Sequence, residues 1–374
     1  MRSPVSAQPQ APAHRGRADH PPLRIGFASS SLPEPQRKPG GADVHVDRLA
    51  EQLARRGHDV CVFTYSPRPA DRSYRLHRLE PASTTTSKTR RLVAAPLRLN
   101  TLDASGLDVL HLHGDDWFYI RRPLPTVRTF YGSALYEARH ATRARRRASQ
   151  YATYALELLS SRLATASYGI IPGDGPGYRT AGHLPLAVDL PAAASTARDG
   201  RPTILFVGTW DGRKRGRLLH SAFAGHVRPR VPGAELVMVS DHCEPAPDVR
   251  WVRRPSDAEL AQLYRKAWLF CLPSSYEGFG LPYLEAMGHA TPVVATPNPG
   301  ARFVLDGGRA GVLADPGRLG DDLVRLLLDA RARTSLAHAG RRRAEAFAWE
   351  PVLDRHERAY RDAIARFGPT AGER

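Results

Sequence analysis

Glu277 and Glu285 stand eight positions apart, and between them the chain runs Gly278, Phe279, Gly280, Leu281, Pro282. Two carboxylates around a tight turn suit general acid–base work of the hydrolase kind or the recognition of hydroxyl groups. The surrounding residues favour the second use. A strand-like run, 268–272, leads in, and another, 292–295, leads out. Pro282 suits the first turn of a helix, where its missing N–H has no partner to lose, and Gly288 suits the end of one. Gly278 and Gly280 permit positive φ and close backbone approach. Free N–H groups at a helix start, reinforced by the helix dipole, form an anion site. The turn can therefore hold a phosphate-bearing ligand. Carboxylates repel phosphate, which leaves them the hydroxyls: a sugar for Glu277 and a ribose diol for Glu285. The plainer alternative is a surface turn with two solvated glutamates.

A second candidate lies at Arg213, Lys214 and Arg215, after a strand-like run at 202–210 and before a helical stripe. Arginine offers a planar fork to phosphate oxygens and lysine a mobile point charge. Such cations stabilise the charge gained by a departing nucleoside diphosphate. Arg213 and Lys214 are the favoured pair; a solvated charge run is the alternative. A third group follows two further strand-like runs, 107–116 and 126–134. It holds His111, His113, Asp115, Asp116 and Tyr131. The alternation His111, Leu112, His113 leads to the expectation that the two imidazoles face opposite sides of a strand, one of them structural. Asp115 and Asp116 are expected to bind acceptor hydroxyls or amines.

These residues need elements to carry them. An alternating strand at 23–29 is followed by a loop ending in Gly40 and Gly41. A helix then carries Val46, Leu49, Ala50 and Leu53 on one face, and a second strand runs over 58–65. Strand, helix, strand implies a parallel sheet with right-handed crossovers. Further strands are expected at 107–116, 126–134 and 168–174, with one long basic helix over about 135–166. A small-residue stretch from Pro191 reads as a linker. The alternation then restarts at 202–210, 234–240, a helix at 257–267 and 268–274. The fold class is α/β: two doubly wound Rossmann-like domains, over 23–190 and 198–350, with a cleft between them. Residues 1–22 read as a disordered tail.

The 374 residues carry 54 Lys and Arg against 37 Asp and Glu, a net charge of +17. That charge favours anionic partners. The composition is 42% hydrophobic, and no apolar run reaches the roughly 20 residues that span a bilayer, so a cytoplasmic protein is expected. The Arg-rich run 139–149 adds the expectation of a peripheral membrane contact. Cys61, Cys243 and Cys271 have neither metal nor disulfide spacing.

The stretch 277–295 resembles the E-x7-E motif of the family-4 retaining glycosyltransferases. That pattern is a Glu, a Gly-rich turn, Glu-Ala-Met, and a strand of the type Pro-Val-Val-Ala. Here it is Glu277, Gly278 to Gly280, Glu285 to Met287 and Pro292 to Ala295. Residues 307–323 resemble the family's Gly-x-Leu-x-x-x-Asp segment, 346–360 its Trp-containing last helix, and Gly40 and Gly41 its N-terminal glycine loop. The resemblance implies the GT-B fold, with the acceptor on the first domain and a nucleotide sugar on the second. It implies that residues 351–374 form a helix crossing back to the first domain. It further implies that Arg213 and Lys214 bind the donor diphosphate, and that no metal or other cofactor is needed. Retention would come from front-face attack, with the leaving diphosphate helping to deprotonate the acceptor. One position departs from the pattern: Tyr131 stands where a Thr-x-His turn is expected after Thr129. Tyr131 and His111 join Glu277 as expected catalytic groups, and the partners implied are a UDP- or GDP-sugar and a hydroxyl-bearing acceptor. Two other classes compete: a basic nucleic-acid- or membrane-binding protein, and a sugar-nucleotide epimerase or hydrolase on the same fold. No zinc, RNP or helix-turn-helix signature supports nucleic acid as a partner.

Overall fold

A computed structural model describes residues 21–34, 40–67, 71–79, 93, 96–141, 143–173, 175–192, 198 and 200–368. Most of the expected tail, of the linker after Pro191 and of the loop before Gly40 lies outside them.

The first unit is a parallel sheet of β1 (Arg24–Ala28), β2 (Asp59–Thr64), β3 (Arg75–Arg78), β4 (Val109–Leu112), β5 (Thr126–Phe130), β6 (Ala166–Gly169) and β7 (Gly182–His183), in the order β3-β2-β1-β4-β5-β6-β7. Ile25, Phe27, Val62, Val109 and Leu112 are wholly buried. Both faces of the central strands are covered, which is why they read as apolar runs. Helix α1 (Gly41–Arg55) buries Val46, Leu49, Ala50 and Leu53, the face its sequence spacing marks. The basic stretch forms two helices rather than one: α2 (Ala134–His140) and α3 (Ala144–Leu163), with Ala141 and Arg143 extended between them.

The second unit is a parallel sheet of β8 (Thr203–Val207), β9 (Glu235–Val239), β10 (Val249–Val252), β11 (Leu269–Leu272), β12 (Val293–Ala295) and β13 (Val312–Leu313), in the order β10-β9-β8-β11-β12-β13. The helices needed below are α4 (Gly216–Ala222), α5 (Asp257–Lys266), α6 (Leu281–Gly288), α7 (Pro299–Val304), α8 (Leu319–Leu328), α9 (Ala330–Glu345) and α10 (Trp349–Phe367). In each sheet the strand order reverses beside the first strand, between β1 and β4 and between β8 and β11. Ligand crevices of such sheets open beyond the carboxyl ends of the strands at that reversal.

The strand expected over 168–174 begins and ends earlier. Ile170 and Ile171 have left the sheet, and with Leu186 and Val188 they pack into the core of the second unit. The last helix, α10, lies on the first unit: Leu353, Ala359, Tyr360 and Ala363 share a core with Ile25, Leu49 and Val109. A polar cluster fixes its outer side, where Glu357 meets Arg56 at 3.2 Å and His58 at 2.9 Å.

Burial pushes the Glu357 carboxyl up, but His58 and Arg56 more than reverse this and hold it below its ordinary range. A depressed carboxyl stabilises the fold above its unfolded pKa and loses that contribution as pH falls through the folded value. Glu357→Gln should therefore destabilise the protein by about 1 kcal/mol near neutral pH. Urea unfolding of both proteins should show the gap closing below about pH 4.

Candidate active site

The carboxyl ends of β8 and β11 carry the two motifs of the second unit, and the motifs bind each other. After β8 a single 3₁₀ turn, Gly212–Lys214, is followed by Arg215 in the left-handed region at φ 54°. After β11, Ser275 N donates to Arg213 O at 2.8 Å, tying the two turns by their backbones. Glu277 then closes the cluster. Its Oε1 lies 2.6 Å from Lys214 Nζ and its Oε2 lies 2.8 Å from Arg213 Nη1. Ser274 Oγ donates to Oε1 at 2.7 Å. Burial pushes the Glu277 carboxyl up, and Lys214 and Arg213 together outweigh it, so the group sits below its ordinary value and is ionised. Burial also lowers the Lys214 ammonium, which Glu277 only partly restores. The cations expected on phosphate and the carboxylate expected on sugar hydroxyls thus form one ion-paired set.

A polar scaffold holds this turn from below. Thr296 Oγ1 and Asn298 Nδ2 donate to Ser274 O at 2.7 and 3.1 Å, and Gly300 N donates to Glu277 O at 2.9 Å. Gly300 cannot carry a side chain there: a Cβ would sit 2.5 Å from Phe279 O and 2.8 Å from Glu277 O. Gly280 takes φ 94° and opens α6, with Pro282 in its first turn. Phe279, expected to touch the donor, instead anchors the turn. Its ring is buried against Phe303 and Phe347, leaving only its backbone for a ligand. Glu285 is only partly exposed on α6, and Tyr264 donates its hydroxyl to Oε2 at 2.7 Å. Burial raises the Glu285 carboxyl, and the Tyr264 hydrogen bond only partly lowers it.

Across the cleft, four expectations change. His111 and His113 do not face opposite sides. Residues two apart in a strand share a face, and the ring centroids are 3.9 Å apart. His111 is wholly buried, with Nδ1 on Tyr360 Oη at 2.9 Å and Nε2 on Thr129 Oγ1 at 2.8 Å, so it cannot touch substrate. Asp116 is equally buried, paired with Arg128 at 2.7 Å and Arg122 at 3.0 Å and accepting from Ser160, so it braces the fold and cannot reach an acceptor. Asp115 lines a separate small cavity with Ser29, Ser30 and Tyr65. Tyr131 remains at the cleft, its hydroxyl 2.7 Å from His113 Nδ1. Burial lowers the His113 imidazole well below its ordinary value and raises the Tyr131 phenol, so both are neutral. Gly40 precedes α1, its N–H donating to Asp43 at 3.3 Å, and Gly41 opens the helix.

The two units meet at the motifs. A cleft of about 350 Å³ is lined by His113, Tyr131 and Gly132 on one side and by Arg213, Tyr276 and Gly278 on the other. A Cβ on Gly278 would lie 3.3 Å from Tyr131 O and 3.8 Å from Gly132 Cα. The glycine turn of the second unit therefore abuts the turn after β5.

Residues 39–167 match the family described as "Glycosyltransferase Family 4", and residues 201–329 match "Glycosyl transferases group 1". The chain belongs to the family-4 glycosyltransferases. It is 37% identical over 128 residues to a protein named D-inositol 3-phosphate glycosyltransferase from Salinispora arenicola. That match covers 33% of this chain and 29% of the relative, so it spans under a third of the relative's length. Two solved structures share the fold. A sucrose-phosphate synthase from Thermosynechococcus elongatus superposes with a TM-score of 0.70 at 21% identity, over 91% of this chain and 99% of that one. An Anabaena protein in complex with UDP and glucose gives 0.65 at 16% identity, over 90% and 99%. The GT-B architecture read from the two sheets is that of these glycosyltransferase neighbours.

The cleft of this family-4 chain also holds Ser133, Glu137, Gln150 and Glu157, which no motif marks. Glu157 had one visible signal, as the sole acid of α3 among four arginines. Its distance in sequence from every motif hid its use.

Gly300→Ala should force the Glu277 turn out of place. A stability loss of about 2 kcal/mol or more in urea unfolding is expected, together with a weaker response to nucleotide. A variant as stable as the parent would show that the turn accommodates the methyl group.

Proposed function

We propose that this chain is a retaining glycosyltransferase, moving a hexose-type sugar from a nucleotide-sugar donor to an acceptor hydroxyl. The observation that carries the reading is the seam between the units, where Gly278 meets Tyr131 and Gly132 beside the Glu277, Arg213 and Lys214 cluster. A donor bound to the second unit then presents its sugar to the first. Arg213 and Lys214 take the diphosphate, supported by the N–H groups of Gly278 to Gly280 and by Gly40 and Gly41 at the start of α1. Glu285 takes the ribose diol. Glu277 shares its carboxylate between the two cations and the sugar hydroxyls, which couples the sugar contact to the charge on the diphosphate. Tyr131, held by His113, hydrogen-bonds a sugar hydroxyl in place of the missing imidazole.

In the step itself, the bond from the anomeric carbon to the phosphate oxygen breaks and the acceptor oxygen bonds to that carbon on the same face. The acceptor proton passes to the departing phosphate. The two cations stabilise the charge that develops on the diphosphate, and closing of the cleft excludes water. A UDP- or GDP-sugar is the donor class, and the Anabaena neighbour's UDP and glucose support the first. The Salinispora relative, whose name specifies an inositol phosphate, supports a hydroxyl-bearing acceptor and no more than that.

Among the described residues no helix is long and apolar enough to cross a membrane. Arg143, Arg145, Arg146 and Arg147 lie exposed at the start of α3, and Tyr151 and Leu159 farther along it are exposed as well. This supports peripheral contact with an anionic surface.

Thermal-shift measurements with UDP, GDP, dTDP and ADP and their sugars test the donor assignment. One nucleotide should stabilise the protein. Glu285→Ala should weaken that nucleotide roughly tenfold, and Lys214→Ala should raise the donor KM by a similar factor. Glu277→Gln should mainly lower turnover, since it leaves both cations free for the diphosphate. Salt-sensitive retention on DNA with no donor turnover would instead favour a nucleic-acid-binding protein.

A further inference from the structure

We infer that the acceptor is a cationic polyol, a sugar or cyclitol bearing a protonated amine, and that Glu157 on α3 binds its ammonium group. The inference rests on the glycosyltransferase reading and names the acceptor class for the same cleft.

The charges facing the cleft carry the argument. Its two arginines are already matched within the protein. Arg213 is paired with Glu277 at 2.8 Å, and Arg128, almost wholly buried, is paired with Asp116 at 2.7 Å. Its carboxylates are not matched in the same way. Among the described residues, the ion pair of Glu137 is a solvent-exposed contact with Arg146 at 3.2 Å, of a kind worth little, and its charge also acts on Arg213. Glu157 has no cationic side chain at ion-pair distance among the described residues. Its Oε2 accepts from Ala134 N at 3.1 Å and from the Tyr178 hydroxyl. Among the described residues the hydrogen bonds to this carboxylate fall on Oε2. Burial raises the Glu157 carboxyl despite the Tyr178 hydrogen bond, and the neighbouring Arg128 and Asp116 act on it with opposite signs. A half-desolvated carboxylate held in one orientation by neutral donors is completed by a cation from outside.

A second feature of the cleft points the same way. His113 is more than nine-tenths buried, lines the cleft, and has its Nε2 without a hydrogen-bond partner. Nδ1 is taken by the Tyr131 hydroxyl and Nε2 is closed off, and the imidazole is neutral, so it sets no positive charge against an ammonium. Ser133 and Gln150 add uncharged hydrogen-bonding groups. A phosphorylated acceptor would face Glu157, with Arg128 committed to Asp116 and Arg213 shared between Glu277 and the donor diphosphate. The volume of about 350 Å³ lies at the small end of ligand pockets and suits an acceptor of one or two rings.

The test is calorimetric titration of the full chain, in the presence of the nucleotide that stabilises it, with 2-deoxystreptamine, myo-inositol and myo-inositol 3-phosphate. The diaminocyclitol should bind at least about tenfold more tightly than neutral inositol, and the phosphate should bind weakest. Glu157→Gln, nearly isosteric, should reduce that preference to within about twofold. Equal binding of the amine and neutral cyclitols, or tighter binding of the phosphate, overturns the inference. The wild-type order alone decides this if the variant does not fold. Stabilisation by nucleotide on the same sample separates the two readings. If nucleotide binds and the amine preference is absent, the acceptor class is wrong and the transferase reading stands. If no nucleotide binds, both fall.

Discussion

The carboxylate of Glu277, held between Lys214 and Arg213, is the constraint on which the second half of the site depends. A buried carboxylate is tolerable only when paired and fully hydrogen-bonded. Its two partners come from the turn after β8, while it comes from the turn after β11, the neighbouring strand. The pairing therefore fixes the mouth of the crevice where the strand order reverses. Everything beneath it serves to keep that carboxylate in place. Thr296 and Asn298 hold the Ser274 carbonyl, Gly300 packs under the Glu277 and Phe279 carbonyls, and Phe279 is driven into the core as an anchor. The close packing of the Gly300 α-carbon against backbone is the local cost of a turn that must bring backbone N–H groups to one side and a carboxylate to the other.

Carboxylates in this chain fall into two kinds, and the distinction separates scaffold from cleft. Asp116 and Glu277 each have two cationic partners, and both sit below their ordinary pKa although burial opposes it. Among the described residues Glu157 and Glu285 accept from phenols and, for Glu157, a backbone N–H, and both are raised by burial. The first kind is internally satisfied. The second kind has unused capacity to accept hydrogen bonds, and its members lie apart, Glu157 in the first unit and Glu285 in the second. With a net charge of +17 the chain has cations to spare, so the lack of an ion-pair partner for these two among the described residues is a feature of their placement and not of supply.

Much of the fold was legible because its signals are local. Apolar runs of four or five residues mark β1, β8, β9 and β11 well, and the spacing of Val46, Leu49 and Leu53 marks α1. The short strands β3, β10 and β13 were not legible. They lie toward the sheet edges, where half the side chains face solvent and the run breaks up: Arg75, Arg78 and Arg250 read as loop. The break between α2 and α3 was hidden because Arg and Ala continue the helical composition straight through it. At the site, the glycine turn and its two glutamates were visible because spacing within one turn is a sequence property. The burial of His111 and Asp116 was not, because it depends on Tyr360, Arg122, Arg128 and Ser160, which come from other elements. The two histidines were misassigned for a simpler reason: a period of two puts them on the same face.

The passage of the chain between the units and the seam at the cleft are held by contacts of different kinds. Near the passage of the chain between them, Asp189 accepts from the Trp349 indole at 2.7 Å and pairs with Arg48. The Arg48 guanidinium lies over the Trp349 ring at 5.3 Å, and His45 stacks on the same ring. Helix α1, the end of the first unit and the start of α10 are thereby fixed to one another by directional bonds. At the cleft the backbone of Gly278 meets Tyr131 and Gly132, and side chains meet there as well: Tyr131 packs against the cores of both units, and the Tyr136 and Tyr276 rings lie 5.9 Å apart. Ile170 and Ile171, just after β6, also pack into the core of the second unit, so separating the units there would break packed side-chain contacts. The seam is therefore a packed junction, and the room it leaves for ligands is the cleft of about 350 Å³ between the turn after β5 and the turn after β11.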